Sequence, residues 1–275
     1  MRSSDDDPHQ GNPSVDTSEF FFPGGGVSAL LVHGLSGTPY EMRYLGERLA
    51  AAGVRVCGVR LAGHAGTPEE LGAATHARWY ESVVEDFERL RQYGDPNVVV
   101  GLSMGGVLAA RLAADQREAV AGVVMLAPAF FLPLWVRGAL RMISALGPLA
   151  DRVYLRGAGS DIHDAAARGI HPAIRLMPLS AVFELLDLSA MVRPRLNRVT
   201  QPALIIHGRR DHTCPQRKNV DFLRARLGSA QKRAVILEES FHVVTVDSEK
   251  ERVAAEVVEF VSSFRSGAEP ASATG

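Results

Sequence analysis

The amino-acid sequence predicts an α/β fold: a mainly parallel sheet with helices on both faces and a helical insertion. Three observations carry this. Short runs rich in valine, leucine and isoleucine alternate with helical stretches along most of the chain, the pattern of strand–helix–strand units. The runs are apolar without alternation, as strands covered on both faces are. One block, 129–198, breaks the rhythm. Prolines at 133, 148, 172, 178 and 194 punctuate helical pieces such as 134–146 and 180–191, and no strand-like run interrupts them. That block is expected to form a helical cap over the mouth of the sheet, dividing a core of 19–128 and 199–266.

Residues 1–18, rich in Ser, Asp, Pro and Gly, read as a disordered leader. The acidic Asp5-Asp6-Asp7 has no apolar run behind it, so a signal peptide is not expected here. Glu19-Phe20-Phe21-Phe22 is expected to be a short piece lidding the sheet edge, and 27–32 a buried strand after the Gly24-Gly25-Gly26 turn. Thr38 as N-cap, Pro39 at N1 and Glu41 completing a capping box open a helix that runs to about 52. A strand at 54–59 and a loop at 61–66 follow, and Thr67-Pro68-Glu69-Glu70 repeats the capping signature. Trp79, Val83, Phe87 and Leu90 mark one stripe of a helix over 76–93. The strand 98–100 leads into an Ala/Leu-rich helix, and 120–126 is the next strand. Beyond the cap come strand 203–206, helix 215–227, strand 234–237 and a last helix over 248–264; from 267 the tail is disordered in composition.

The chain has 275 residues, Lys+Arg 30 against Asp+Glu 31, a net charge of -1 and 46% hydrophobic residues. The charge argues against a nucleic-acid partner and against a polybasic membrane patch. No apolar run reaches the ~18 residues of a membrane span, and a cytoplasmic location is the expectation. Cys57 and Cys214 have no metal-ligand spacing and are expected to be packing residues.

Ligands on parallel sheets bind at the carboxyl ends of the strands, so chemistry is expected in the loops after strands. Gly101-Leu102-Ser103-Met104-Gly105 falls between a strand and a helix, the context that a serine on a sharp turn requires. Glycines two positions either side remove the side chains that would clash with a strained serine backbone. A serine hydroxyl needs a base within hydrogen-bond reach, and His242, after the last strand, can serve. The base needs a carboxylate to fix its tautomer, and Asp211 can serve. Asp161, Asp164 and Asp187 are also available, but fall before the next core strand. Met104 N–H and Leu35 N–H are the expected oxyanion donors. His212 is expected at the rim, His33 and His64 as props of loop carbonyls, and His163 and His171 as solvated cap residues. Phe130, Phe131, Leu134 and Trp135 are expected to combine cap core with the lining of an acyl-chain pocket. An alternative reading of that patch is transient contact with lipid.

The sequence resembles the α/β-hydrolase superfamily, and within it bacterial carboxylesterases and monoacylglycerol lipases. The resemblance rests on Phe20-Phe21-Phe22, on Leu31 to Pro39, on Gly63 to Leu71, on Gly101 to Gly106 and on Ser240 to Asp247. It implies a Ser103–His242–Asp211 triad, an oxyanion hole at Leu35 and Met104, and hydrolysis of short- to medium-chain esters, monoacylglycerols among them, without cofactor or metal. Acyl transfer or thioester hydrolysis on the same triad, and a non-catalytic receptor for a small apolar ligand, are the alternatives. Both a monomer and a homodimer remain open. The cap matches no pattern of the family, and His212-Thr213-Cys214-Pro215 stands where many relatives carry apolar residues.

Overall fold

The computed structural model describes residues 15–144, 153–156, 159–174 and 176–265. The strands are β1 (Phe20–Phe22), β2 (Ser28–Val32), β3 (Arg55–Val59), β4 (Asn97–Leu102), β5 (Val120–Leu126), β6 (Tyr154–Arg156), β7 (Leu176–Pro178), β8 (Ala203–Gly208) and β9 (Lys232–Leu237). Seven of them form one sheet in the order β1-β3-β2-β4-β5-β8-β9. Every pairing in it is parallel except the edge pair, where β1 runs antiparallel to β3. The helices are α1 (Tyr40–Ala51), α2 (Pro68–Ala73), α3 (His76–Arg91), α4 (Met104–Asp115), α5 (Leu134–Ser144), α6 (Ala165–Ile170), α7 (Leu179–Val192), α8 (Gln216–Arg226) and α9 (Lys250–Ser262).

The unalternating strand sequences follow from this layering. Successive residues of a strand point to opposite faces, and both faces are covered. Leu30, Val32 and Val99 pack with the Trp79 stripe of α3 and with α4 on one side. Ala29, Leu31, Val98 and Val100 pack with α1 and α9 on the other. All five residues of β2 and all six of β4 are buried. β1 closes the edge as expected, with the Phe20 ring lying where Gly58 and Gly46 carry no side chain.

Two local expectations fail for identifiable reasons. The Thr67–Glu70 capping box forms, each side chain accepting the other residue's backbone N–H. The Thr38–Glu41 box does not: α1 starts at Tyr40 behind Pro39 with no side-chain cap, because the Glu41 carboxylate turns inward to Gly34 N–H. The segment between β5 and β8 is not wholly helical. Besides α5, α6 and α7 it holds β6 and β7, an antiparallel pair of three residues each, too short to show a periodicity in sequence. The expected tail and most of the expected leader lie outside the described residues, as do positions 145 and 146 of the helix expected over 134–146.

Candidate active site

Ser103 stands between the end of β4 and the start of α4 with φ 55° and ψ -113°, a conformation that side chains rarely adopt. The turn needs its flanking glycines. A Cβ on Gly101 would strike the Gly105 carbonyl, and one on Gly105 the carbonyl of Val32. Ser103 N–H donates to Leu126 C=O at 2.8 Å, and Ser103 C=O accepts Ala129 N–H at 3.2 Å, which fastens the turn to the end of β5.

The loops after β8 and β9 bring Asp211 and His242 to it. His242 Nε2 lies 2.8 Å from Ser103 Oγ, and His242 Nδ1 lies 2.7 Å from Asp211 Oδ2. The Asp211 side chain is fully buried, and both of its oxygens are saturated. His207 Nε2 also approaches Oδ2 at 2.9 Å, and Oδ1 accepts the N–H groups of Thr213 at 2.8 Å and Cys214 at 2.6 Å. Burial alone would raise the Asp211 carboxyl. The charge of His242 and the hydrogen bonds from His207 and His242 win and hold it well below the usual carboxylate range. The ionised carboxylate therefore accepts a hydrogen bond from His242 Nδ1–H, leaving Nε2 free to accept from the serine hydroxyl. Burial pulls His242 down, but Asp211, with smaller contributions from Asp161 and Glu41, raises it above its ordinary value.

Leu35 and Met104 follow β2 and Ser103 respectively, and no acceptor among the described residues takes either N–H. Met104 is the first residue of α4, so its amide is one of those a helix cannot satisfy internally. The Gly34–Leu35 peptide is held by His33. Leu61 N–H donates to His33 Nε2 at 3.3 Å, so Nδ1 carries the proton and donates to Gly34 C=O at 2.9 Å. His64 Nδ1 holds Ala62 C=O at 3.0 Å beside it. Burial lowers the basicity of His33, and pushes His64 down to about 3, so both props stay neutral.

Ser103 and His242 open into a cavity of about 700 Å³. Of the expected pocket residues, only Trp135 lines it. Phe130 and Phe131 pack instead on Phe222 of α8, because Asn219 pins the Phe131 backbone from both sides, at 2.9 and 3.1 Å, and turns the pair away. Leu134 is 74% exposed, projecting from α5 away from the cavity. The apolar wall is made by Leu132, Pro133, Val136, Met177, Val182 and Leu185. These were hidden in sequence because they come from three separate pieces of the insertion. His212 stands at the rim, exposed, with Nδ1 2.8 Å from Asp161 Oδ1. His171 is a correction: its side chain is buried, not solvated, and faces Glu41 and Ser160. His163 is exposed and lies against Phe241. Cys214 is buried, and burial pushes its thiol well up; Cys57 is pushed up to about 12 for the same reason. Sequence reasoning missed His207, although it stands four residues before Asp211 in the same loop. It also missed the roles of Glu41 and Asp161.

A strained serine on a strand–helix turn, a histidine and a buried carboxylate in series, and two unpaired amides define a serine hydrolase of the α/β-hydrolase superfamily. The family described as serine aminopeptidase, S33, matches residues 28–249, and the chain belongs to that family. It is 34% identical over 241 residues to a thermostable monoacylglycerol lipase of Bacillus sp. (strain H-257), covering 88% of this chain and 92% of that one. It is 26% identical over 248 residues to a carboxylesterase of Bacillus subtilis (strain 168), covering 90% and 97%. A solved structure from work on LipS and LipT, two metagenome-derived lipolytic enzymes, superposes with TM-score 0.82 at 33% identity, over 89% of this chain and 97% of the other. The chain is an enzyme of this superfamily.

Proposed function

We propose that the enzyme hydrolyses carboxylic esters of short- to medium-chain acids, monoacylglycerols among them, with Ser103 as nucleophile. The observation that carries this is the unbroken hydrogen-bond series Ser103–His242–Asp211 at the floor of a cavity whose wall is largely apolar. The acyl chain lies along Leu132, Val136 and Leu185 while the ester carbonyl meets the serine. Ser103 Oγ adds to the carbonyl carbon as its proton passes to His242 Nε2. The oxyanion sits on the Leu35 and Met104 amides. The C–O bond to the alcohol then breaks, the alcohol leaving with the proton from Nε2. Water, giving its proton to the same nitrogen, releases the acid and restores the serine hydroxyl.

The curated relatives described above are a monoacylglycerol lipase and a carboxylesterase, which supports esters over peptides. An aminopeptidase would need a free carboxylate for the substrate ammonium. Among the described residues, the two carboxylates lining the cavity are already engaged, Glu41 by His171 and Gly34, and Asp161 by His212 and Thr213.

Hydrolysis of p-nitrophenyl esters from acetate to palmitate, beside monoacylglycerols, tests the reading, with Ser103→Ala as control. The wild type is expected to turn over short and medium chains, and the variant to lose at least ~10³-fold in kcat while keeping its melting temperature. Turnover that survives Ser103→Ala, or absence of turnover on every ester, overturns it.

A further inference from the structure

Glu41 stands in the first turn of α1, where the sequence places a capping carboxylate, yet it caps nothing. Its side chain is 5% exposed and turns back under the loop that follows β2. Oε2 accepts Gly34 N–H at 3.0 Å. Oε1 lies 3.1 Å from His171 Nε2, and His171 Nδ1 lies 2.6 Å from Ser160 Oγ. The loop is shaped around this group. A Cβ on Gly37 would collide with the Glu41 carboxylate, and one on Gly34 would sit 3.4 Å from Oε2 and 3.3 Å from Ser103 Cβ. Burying a carboxylate is costly unless it is paired. Burial pulls the Glu41 carboxyl upward, but His171 first, then His33 and the Gly34 amide, outweigh it and keep the group ionised.

Two consecutive peptides, the second of which carries the oxyanion donor, are thus pinned. Glu41 holds the His33–Gly34 peptide by its N–H, and His33 holds the Gly34–Leu35 peptide by its C=O. Leu35 itself lines the cavity, and no acceptor among the described residues takes its N–H. The inserted segment touches the same loop twice. His171 abuts the Glu41 carboxylate, and Ile174 N–H donates to Ser36 C=O at 3.1 Å.

We propose that Glu41 is a positioning residue for the oxyanion hole: it fixes the His33–Gly34 peptide, next to the one that carries the Leu35 donor, and, through His171, ties the geometry of that hole to the seating of the inserted segment. Glu41 acts through the Gly34 amide and touches no reacting atom. The inference rests on the serine-hydrolase reading of the site, with Leu35 as a donor.

Fluorophosphonate labelling of Ser103 reads this directly, because the phosphonyl oxygen enters the same pair of amides whether or not the natural substrate is an ester. Losing an oxyanion donor outright costs ~10²–10³-fold, so a donor left mis-set by Glu41→Ala is expected to lower the maximal labelling rate by about 10-fold or more, with the inhibitor's binding constant within about 3-fold. Glu41→Gln, whose amide oxygen can still accept Gly34 N–H, is expected to recover most of the rate. His171→Ala is expected to slow labelling by less, and to add nothing on top of Glu41→Ala, since both act through one contact. Three results would each overturn the proposal: Glu41→Ala labelling at the wild-type rate, an effect confined to the binding constant, or a glutamine variant no faster than alanine with melting temperature falling in parallel. A wild type that labels but hydrolyses none of the esters sinks the ester reading and leaves this test standing.

Discussion

At the scale of the residue, the Asp211–His242 pair sets two opposite dependences on pH. His242 must be neutral to take the serine proton, and its pKa is raised above 6.5 by Asp211. Activity is therefore lost as pH falls through that raised value, and the acid limb of kcat/KM is expected above 6.5. Stability runs the other way. The raised His242 contributes stability that is fully present below 6.5 and is lost as pH rises through its folded value. The depressed Asp211 contributes stability present above 3.8 and lost as pH falls toward its lower folded value. The pair is most stabilising on the acid side of the activity range. Asp211→Asn removes the charge, so the limb should move to lower pH while kcat falls by about 10⁴-fold. Profiles of wild type and variant, followed with a p-nitrophenyl ester, check this; a shared limb below 6.5 would refute the account. Ser103 and His242 were legible in sequence because each is fixed by its immediate neighbours, glycines for one and the last strand for the other. Glu41 was not, because a glutamate three residues after Thr38 reads as a capping box whether its carboxylate turns outward to the helix or inward to Gly34. His171 was misread for a related reason: its burial depends on a partner 130 positions away in sequence.

At the scale of the element, the core strands were legible and the insertion was less so. Strands covered on both faces carry continuous apolar runs, and helices such as α3 carry a stripe, so period and length separate them. β6 and β7 each hold three residues and, among the described residues, pair only with each other, which leaves no period to read. Apolar composition alone also failed to say which way side chains face. Phe130 and Trp135 lie five positions apart, yet Phe130 is buried on α8's Phe222 while Trp135 stands at the cavity rim, 76% exposed. Truncating the two should then have separable effects. Trp135→Ala removes partial cover from an acyl chain, on the order of 50 Å², worth ~1 kcal/mol, or a roughly 5-fold rise in KM for medium-chain esters with acetate unaffected. Phe130→Ala leaves a hole in a packed layer, costing ~3–5 kcal/mol of stability with chain-length preference unchanged. Chain-length series and thermal melts of both variants check the pair; a shift of preference in Phe130→Ala would place it in the pocket after all.

At the scale of the whole molecule, the inserted segment is built into the catalytic frame at more than one point. Asp161 lies within it, and its carbonyl accepts His242 N–H at 3.0 Å and Val243 N–H at 3.2 Å. Its carboxylate takes His212 N–H at 2.9 Å, Thr213 N–H at 3.2 Å and Thr213 Oγ1 at 3.1 Å. The loops carrying Asp211 and His242 are thereby fastened to one residue. Asp247 continues the seam. Buried after β9, it accepts the N–H groups of His163 and Asp164 from the insertion and of Phe241, next to His242. With Glu41 and His171 on the oxyanion side, both halves of the reacting centre are bonded to the segment that also lines the acyl cavity. An insertion that only set substrate size could be loosened without touching the chemical step. Here, loosening it should lower kcat. In Asp161→Ala the backbone carbonyl remains but the carboxylate bonds to the Asp211 loop are lost. Hydrogen bonds to a charged group are worth ~1.5–3 kcal/mol, so the free energy of unfolding should fall by an amount of that order. Because the loops orient the base and its carboxylate, kcat should fall about 10-fold or more with KM for p-nitrophenyl acetate changed far less. Asp161→Asn, which keeps one acceptor oxygen for the 212 and 213 amides, should lie between the two. Steady-state kinetics on the three proteins decide it: a change confined to KM would return the insertion to the role of a lid.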